Sequence, residues 1–328
     1  MPNKVKILVS GLKPSGELHI GNYLGALKNL VDLQEGNYQR FYFIADYHAL
    51  TTKYDPKEKR EQIFKMTVDA LAAGVDPKKS TLYRQSNSSE RNNLAWLLGN
   101  VTSTGELGRM SEYKEKVAQG NVPNAGLFNY PVLMAADVLM YDADLVPVGE
   151  DQRQHLELTR TIARNFNKLF GKTFKEPAAL HTKTPRIMSL NNPDQKMSKS
   201  IPSGCLFLSD PPAVIKKKVM SATTDSNKSI GYDPKKRPGV SNLIDIYSAF
   251  AGISTSEVVK MFKGVGYAQF KADLAGLIIK SLEPFQLKRA KLLKDKKKIM
   301  KILEDGALKA QPIASKKLKE VKKKAGLI

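Results

Sequence analysis

The sequence predicts an α/β fold, with a parallel sheet in the first part of the chain and a mainly helical second part. Short apolar segments with strand character precede stretches of helical periodicity, and this order repeats along the first part. Such alternation is typical of a parallel sheet. After about residue 185, a loop rich in Asn, Pro, Ser and Lys at 190–204 leads into patterns that stay helical.

The first predicted unit is a strand, a loop and a helix. Residues Val5–Ser10 are mostly aliphatic and indicate a buried strand, and a loop with glycine and proline follows at 11–16. Apolar residues then recur at helical spacing and predict one apolar helix face: Ile20, Leu24, Leu27 and Val31.

The second unit has clearer boundaries. A strand at Phe41–Ala45 ends in a polar turn at 46–48. Asp55 is the predicted N-cap of the next helix, with Pro56 in its first turn, and the helix is expected to stop near Gly74.

A third unit begins with a strand at Leu145–Val148 and the loop 149–151. A helix is predicted after it from the apolar spacing of Leu158, Ile162, Phe166 and Leu169. Further along, the string Asp210-Pro211-Pro212 predicts another capped helix start.

Composition narrows the class of protein. The length of 328 residues suggests about two domains. The single cysteine, Cys205, excludes an intrachain disulfide, a multi-cysteine zinc site and a cysteine-ligated iron–sulfur cluster. With a single cysteine, we expect no protein-bound metal and a reducing compartment. We expect a cytoplasmic location because no apolar run is long enough to span a membrane and the first apolar run is too short for a secretory signal.

The charge balance points to a polyanionic partner. Lys and Arg number 53 against 32 acidic residues, for a net charge of +21. Residues 281–328 hold 15 of the basic residues and five acids, a net +10. Composition alone leaves two readings of this segment open, contact with a nucleic acid or a solvated lysine-rich surface.

Two motifs carry phosphate chemistry. Residues 14–22, Pro-Ser-Gly-Glu-Leu-His-Ile-Gly-Asn, lie where a strand meets a helix, so glycine and the free N–H groups of the helix start favour phosphate binding, with His19 as a further donor. Residues 196–200, Lys-Met-Ser-Lys-Ser, form a basic loop whose lysines suit a leaving pyrophosphate. Each motif alone is compatible with an ordinary turn or a basic surface loop.

A third stretch, 130–137, is a predicted helix that places Tyr130, Met134 and Asp137 on one face. A carboxylate among apolar groups requires a hydrogen-bond donor. An indole N–H only donates and would fit it, although a structural hydrogen bond in a core helix is the plainer alternative.

In this order, the first two motifs resemble the HIGH and KMSKS signatures of class I aminoacyl-tRNA synthetases. Over nearly its whole length the chain resembles the bacterial-type tryptophanyl-tRNA synthetases. The strings that carry this closer resemblance lie at 21–27, 46–49, 105–110, 146–152, 186–190 and 224–226.

The resemblance implies a Rossmann-like catalytic domain at 1–186, a helical anticodon-binding domain at 187–290, and a basic helical segment at 291–328 that packs back on the catalytic domain. It implies a homodimer that activates L-tryptophan with ATP and Mg²⁺ and transfers it to tRNA(Trp). Because no metal-ligand cluster stands out, Mg²⁺ is expected to arrive with ATP.

The resemblance also implies the site residues. His19, Lys196 and Lys199 match the catalytic positions. The ATP-binding positions are matched by Lys13, Pro14, Ser15, Gly21, Asn22, Gly149, Glu150, Asp151, Ile187, Lys196, Met197, Ser198, Lys199 and Ser200. The tryptophan-binding positions are matched by Asp137, Tyr130, Met134, His48 and Gln152.

Two residues depart from the family pattern. Lys13 stands where Gln is usual, so it adds a cation near the nucleotide and carboxylate end of the site. Val9 stands where an aromatic residue is common, so the indole slot is expected to be wider.

Three other functions were weighed. A tyrosyl-tRNA synthetase shares the architecture, but many such enzymes have Gln one turn after the tyrosine, where this chain has the apolar Met134. A non-catalytic nucleic-acid-binding relative should have damaged motifs, whereas His19, Lys196 and Lys199 are present. A small-metabolite nucleotidyltransferase would leave the basic C-terminal region unexplained.

Overall fold

The centre of the molecule is a parallel sheet with the strand order β3-β2-β1-β4-β5. The computed structural model describes residues 5–149, 152–181, 186–227 and 229–328. Within these ranges the strands are β1 Lys6–Leu12, β2 Tyr38–Ile44, β3 Thr81–Arg84, β4 Leu145–Val148 and β5 Ala178–His181. All four strand pairs are parallel, which confirms the predicted α/β class.

Helices follow the strands and fill both faces of the sheet. In the first part they are α1 Ile20–Asn22, α2 Lys28–Asp32, α3 Pro56–Ala73, α4 Glu90–Gly99, α5 Thr104–Gly108, α6 Ser111–Ala118, α7 Ala125–Leu139 and α8 Arg153–Phe170. In the second part they are α9 Pro212–Met220, α10 Pro238–Ala251, α11 Thr255–Met261, α12 Tyr267–Leu292 and α13 Lys296–Lys324.

The predicted ends of α3 are confirmed. Asp55 accepts a hydrogen bond from the N–H of Glu58 at 2.8 Å, and Pro56 is the first helical residue. Gly74 ends the helix at a φ of 118°, a conformation that glycine adopts without the steric cost of a side chain. Strand β4 has its predicted bounds.

Strands β1 and β2 differ in their bounds from the predicted Val5–Ser10 and Phe41–Ala45, and two predicted helices differ in detail. The first helix is interrupted, because Tyr23–Leu27 winds as a π-helix between α1 and α2, a feature frequent near functional sites. Helix α9 starts at the predicted place, but Asp210 is not its cap. The Asp210 carboxylate accepts hydrogen bonds from the Phe207 N–H and the Lys218 ammonium instead, and Pro211 takes the N-cap position.

Helix α13 covers the edge of the sheet. Its residue Gly306 lies against the backbone carbonyl of Leu82 in β3, so a Cβ at this position would collide with the strand. The first half of α13 contributes Leu303 to the core on one face of the sheet, and the second half contributes Ala314 to the core on the other. The C-terminal helix is therefore built into the fold of the sheet.

The strand order creates a crevice. The chain builds outward from β1 to β2 and β3, and then returns to place β4 on the other side of β1. Helices that leave neighbouring strands in opposite directions open a crevice at the carboxyl ends, and ligands of open α/β sheets bind there. No helix in the described part of the chain has the length and apolar character needed to cross a membrane.

Candidate active site

A cavity of about 270 Å³ lies at the carboxyl ends of the central strands. Strand β1 contributes Val9 to its wall and is followed there by Lys13, while β4 contributes Val146 and Val148. Helix α7 forms another wall. The cavity thus occupies the crevice that the strand order creates.

The five residues predicted to bind an amino acid meet in this cavity. Tyr130, Met134 and Asp137 line it from successive turns of α7, His48 comes from the turn after β2, and Gln152 lies just before α8. They arrive from three separate segments of the chain, so only the folded sheet brings them together. The two unusual residues, Val9 and Lys13, line the same cavity.

Asp137 is buried and has three polar partners. Its side chain is 1% exposed. Oδ1 accepts a hydrogen bond from Nη1 of Arg91 at 2.7 Å, and Oδ2 lies 2.8 Å from Nε2 of Gln85 and 2.9 Å from Nε2 of His48. The carboxylate therefore has a buried counter-charge and two further polar partners, which its sequence neighbours do not indicate.

Arg91 is the least accessible cation at the site, with none of its side chain exposed. Its guanidinium carbon lies 5.5 Å from the ring centre of Phe43 and 5.4 Å from that of Tyr83. Desolvation opposes its charge, but Tyr83 and Asp137 outweigh this effect and raise the pKa of Arg91. The guanidinium is thus a permanent positive charge between two aromatic faces.

Tyr130 lines the same wall as Asp137, two turns earlier in α7. Its hydroxyl forms a hydrogen bond with Nε2 of His155 at 2.5 Å. Burial and the nearby Glu112 raise the pKa of Tyr130, so the hydroxyl stays protonated. A neutral phenol here can both donate and accept a hydrogen bond.

The two phosphate motifs lie side by side. The ammonium of Lys199 donates to the backbone oxygen of Ser15 at 2.8 Å and to its hydroxyl at 3.2 Å, and it lies 3.4 Å from the backbone oxygen of Gly16. Burial lowers the pKa of Lys199. The loop 196–200 therefore contacts the loop after β1, which includes the buried Pro14. Together the two loops form one continuous surface rich in oxygen and amine groups.

His19 caps α1 and is almost fully buried. Its Nδ1 accepts the N–H of Asn22 at 3.3 Å, which leaves Nε2 as the protonated nitrogen of the neutral ring. Burial, with the positive charges of Lys199 and Lys196, lowers the pKa of His19 to about 4. His19 is thus a neutral hydrogen-bond donor at neutral pH.

Gly21 allows this arrangement. A Cβ at Gly21 would lie 3.0 Å from the His19 ring and 3.5 Å from Cβ of Ile187, so glycine permits both to approach. The N–H of Met197 donates to the carbonyl of Ile187 at 3.1 Å, and Met197 is buried. Met197 anchors the loop, whereas Lys196 and Ser200 on either side are exposed.

The other described residues of the predicted site are more accessible to solvent. Gly149 is exposed directly after β4, and Ser198 is half-buried. Glu150 and Asp151 lie outside the described residues. Lys13 reaches solvent from the wall of the cleft, where desolvation and the charges of Lys116 and Lys59 lower its pKa. In the described ranges, no three His, Cys, Asp or Glu side chains come together as a candidate metal site.

Sequence reasoning missed Arg91 and Gln85. Arg91 stands in the polar string Glu-Arg-Asn-Asn, which indicates an exposed helix face. Gln85 directly follows β3, a strand that the sequence analysis did not predict. A polar residue at the carboxyl end of a recognised strand would have been a usable signal for Gln85. No comparable signal marks Arg91.

The low pKa of His19 predicts a pH dependence of folding stability. The unfolded chain binds a proton near the ordinary value of 6.5, and the folded chain only near 4. Stability from this group is therefore present above pH 6.5 and is lost as pH falls towards 4, by about 2–3 kcal/mol. Urea unfolding of wild type and His19→Gln should show a stability difference that shrinks over this range. A pH-independent difference would contradict the neutral, buried histidine.

Comparison with known proteins places the chain in a family. Residues 1–283 match the family model described as tRNA synthetases class I (W and Y). A tryptophan–tRNA ligase from Caldanaerobacter subterraneus subsp. tengcongensis is 46% identical over 99% of both chains. A crystal structure of tryptophanyl-tRNA synthetase from Mycoplasma pneumoniae superposes with a TM-score of 0.89, at 34% identity over 99% of this chain and 98% of the other.

The corresponding structure from Campylobacter jejuni, complexed with ADP and tryptophan, has a TM-score of 0.84 and 37% identity, over 98% of this chain and all of the other. These matches extend over the sheet, the cavity and the helical second part together. The chain therefore belongs to the class I tRNA synthetases for tryptophan and tyrosine and, within them, to the bacterial-type tryptophanyl-tRNA synthetases.

Proposed function

We infer that this chain is a tryptophan–tRNA ligase, which activates L-tryptophan with ATP and then transfers it to tRNA(Trp). The observation that carries this function is the position of Asp137, a buried carboxylate in a cavity that opens beside the two phosphate motifs. The tryptophan- and ADP-bound relative from Campylobacter jejuni supports the same pair of substrates.

The cavity suits an indole. Asp137 is an acceptor for the single ring N–H, and Met134, Val9 and Val148 supply apolar walls. The phenol of tyrosine is smaller and would place its hydroxyl near Met134, which offers only a weakly accepting sulfur. These contacts favour tryptophan over tyrosine.

We propose that the polar rim holds the reacting end of the amino acid. Tyr130 and Gln152 face the substrate amino group, and His48 closes the side-chain pocket beside Asp137. Lys13 lies between this cavity and the loop at Ser15, where a cation attracts both the substrate carboxylate and a phosphate.

We propose that ATP lies across the loop after β1. Ser15, with Pro14, Gly21 and Asn22, would contact its phosphates and sugar, and Ile187 its adenine. The segment 149–151 would hold the ribose. Lys196, Lys199 and the loop serines Ser198 and Ser200 would surround the leaving pyrophosphate, with buried Met197 as their anchor.

The reaction has two steps. A carboxylate oxygen of tryptophan attacks the α-phosphorus of ATP; the new oxygen–phosphorus bond forms as the bond to the bridging oxygen breaks, and pyrophosphate leaves. A hydroxyl of the terminal tRNA adenosine then attacks the activated carbonyl carbon and AMP leaves. The neutral His19 donates a hydrogen bond to the charged phosphate oxygens, and Lys199 neutralises charge as pyrophosphate departs.

We propose that Mg²⁺ enters on the ATP phosphates, because a cation that bridges phosphate oxygens neutralises charge in phosphoryl transfer. The lysines of 196–200 would add positive charge to the same pyrophosphate oxygens. We place the reaction in the cytoplasm, where a chain with one cysteine meets reducing conditions.

We propose that the sheet region 1–186 is catalytic, that the helices of 187–290 read the anticodon, and that 291–328 presents a basic surface to tRNA. Lys296, Lys297 and Lys298 occupy the first turn of α13 and are exposed. Cations at a helix N-terminus oppose the helix dipole, so this placement costs stability. Contact with a polyanionic partner would explain why three lysines occupy this unfavourable position.

We propose that the enzyme is a homodimer that associates through the face of α4 and α7. Trp96, the only tryptophan, is 78% exposed on this face, beside an open groove of about 570 Å³. Leu50, Val132 and Leu133 line the same groove. An apolar groove with an exposed tryptophan is typical of a protein interface. Tyr130 lines this groove and the substrate cavity, so a partner subunit would pack close behind the site.

Amino-acid selectivity tests the activity. ATP–pyrophosphate exchange should proceed with tryptophan at least about 1,000-fold faster than with tyrosine, because only the indole N–H meets Asp137 in an otherwise apolar slot. Faster exchange with tyrosine would refute the proposed substrate. In Asp137→Asn, tryptophan-dependent exchange should fall strongly, and unfolding should be measured in parallel because Arg91 loses its counter-charge.

Salt dependence tests the basic surface. In the double variant Lys297→Gln and Lys298→Gln, tRNA affinity should fall and the slope of log affinity against log salt should become shallower by about 1–2. Tryptophan activation should be unchanged. The matched control is Lys168→Gln with Lys172→Gln, at the end of α8. An unchanged slope would leave α13 as a solvated basic helix.

Sedimentation tests the interface. Trp96→Glu should shift the protein from dimer to monomer, because a charge in the centre of an apolar interface is costly to bury. Leu169→Glu is the control, since Leu169 is 66% exposed on α8, away from the groove. A wild-type monomer at micromolar concentration, or an unaltered dimer in Trp96→Glu, would refute this interface.

A further inference from the structure

We propose that Arg91 and Gln85 are positioning residues that hold Asp137 as a charged, oriented acceptor, and that tryptophan recognition depends on them as well as on Asp137. This inference rests on the proposed function, because it assigns a role in binding the same substrate. Neither residue contacts the cavity. Both act through the Asp137 carboxylate.

Hydrogen-bond accounting at Asp137 supports this proposal. A carboxylate has about four acceptor positions on its two oxygens. Oδ2 is approached by Gln85 and His48, whereas Oδ1 is approached by Arg91 alone. One position on Oδ1 is left for a further donor, and a single indole N–H completes the set.

The charge state of Asp137 decides whether it can take that donor. A protonated carboxyl group loses the charge that strengthens a hydrogen bond from the indole N–H, and wherever its O–H faces that N–H two donors meet and do not bind. A buried carboxylate without a counter-charge tends to take up a proton. Arg91 supplies the counter-charge at 2.7 Å and so maintains the acceptor.

Arg91 is also fixed in place. The faces of Phe43 and Tyr83 flank its guanidinium, and its Nη2 lies 3.5 Å from the hydroxyl of Tyr141. No part of the side chain reaches solvent. Packing therefore fixes the direction of the Arg91–Asp137 hydrogen bond. It also fixes the direction of the acceptor position on Oδ1 that Arg91 does not occupy.

Gln85 fixes the second oxygen. Its Oε1 accepts the backbone N–H groups of Tyr47 at 3.1 Å and His48 at 3.4 Å, so its Nε2 must face Asp137. One side chain thereby joins the end of β3, the turn after β2 and helix α7. His48 is held over the cavity by the same contact.

The experiment compares two variants with opposite expected pH dependence. In Arg91→Met, the Asp137 carboxylate loses its counter-charge, so the KM for tryptophan in ATP–pyrophosphate exchange should rise by about 100-fold at neutral pH. It should rise further as pH falls from about 8 to about 6, because a buried carboxylate then takes up a proton more easily. His48, which also contacts this carboxylate, is present in the wild type as well, so the wild-type profile over the same pH range is the reference. The KM for ATP should change by less than about three-fold, since the phosphate loops are untouched.

In Gln85→Glu, the new side chain keeps the oxygen that accepts from Tyr47 and His48, so folding is expected to be retained. It replaces the donor to Asp137 by a second carboxyl group. At low pH the two groups share one proton and the contact survives, and at high pH both are charged and repel. The KM for tryptophan should therefore rise as pH increases, the reverse of Arg91→Met.

The control is Arg164→Met, which removes an arginine paired with Glu176 at the surface, and its KM values should match the wild type. Two results would overturn the positioning role. One is a folded variant that retains the wild-type KM for tryptophan. The other is a folded variant whose KM values for tryptophan and for ATP change by the same factor while its pH profile stays that of the wild type. If Arg91→Met does not fold, Gln85→Glu decides alone. Failure of the proposed function would be seen separately, as wild-type protein without tryptophan-dependent exchange.

Discussion

The ion pair between Arg91 and Asp137 is the constraint on which the amino-acid cavity depends. Burying either charge alone would cost several kcal/mol. The buried pair is compensated because the two groups lie 2.7 Å apart and because Gln85 and His48 also contact the carboxylate. This arrangement determines where helices α4 and α7 can lie relative to each other. Helix α7 in turn forms one wall of the cavity, next to residues of β1 and β4.

The phosphate side is governed by a different principle. Here the groups are cations and a neutral imidazole on loops, rather than a buried pair on helices. His19 stays uncharged because it is buried next to Lys199 and Lys196, so it can donate a directed hydrogen bond. The lysines supply the charge from a loop whose only deeply buried member in 196–200 is Met197. A rigid pocket for selection therefore adjoins a more exposed surface for charge neutralisation.

The C-terminal helix links these parts to the basic surface. Helix α13 packs on β3 through Gly306, and Ser315 donates a hydrogen bond to Glu90, the neighbour of Arg91. Strand β3 ends at Arg84, directly before Gln85. Thus, one face of α13 supports the strand and helix that position Asp137, while its exposed lysines face solvent. This shared element explains why the basic segment is part of the sheet's fold rather than an appended tail.

Much of this could be predicted from the sequence, and the limits have physical causes. The strands β1, β2 and β4 are predictable because buried parallel strands are continuous apolar runs. The roles of His19, Lys199 and Asp137 come from the family resemblance of their motifs and stay predictions. The four-residue strands β3 and β5 are too short to show a period. Arg91 was missed because its burial arises from tertiary packing, which a polar string in a helix does not reveal.

The most direct measurement of the central claim uses a tryptophan analogue in which sulfur replaces the indole N–H, as in benzothienylalanine. Its shape is nearly that of tryptophan, but it cannot donate a hydrogen bond to Asp137. We expect kcat/KM for ATP–pyrophosphate exchange to be lower for the analogue by about 10⁴-fold, because a buried polar site left unpaired rejects such a substrate. Equal activation of the analogue and tryptophan would contradict it.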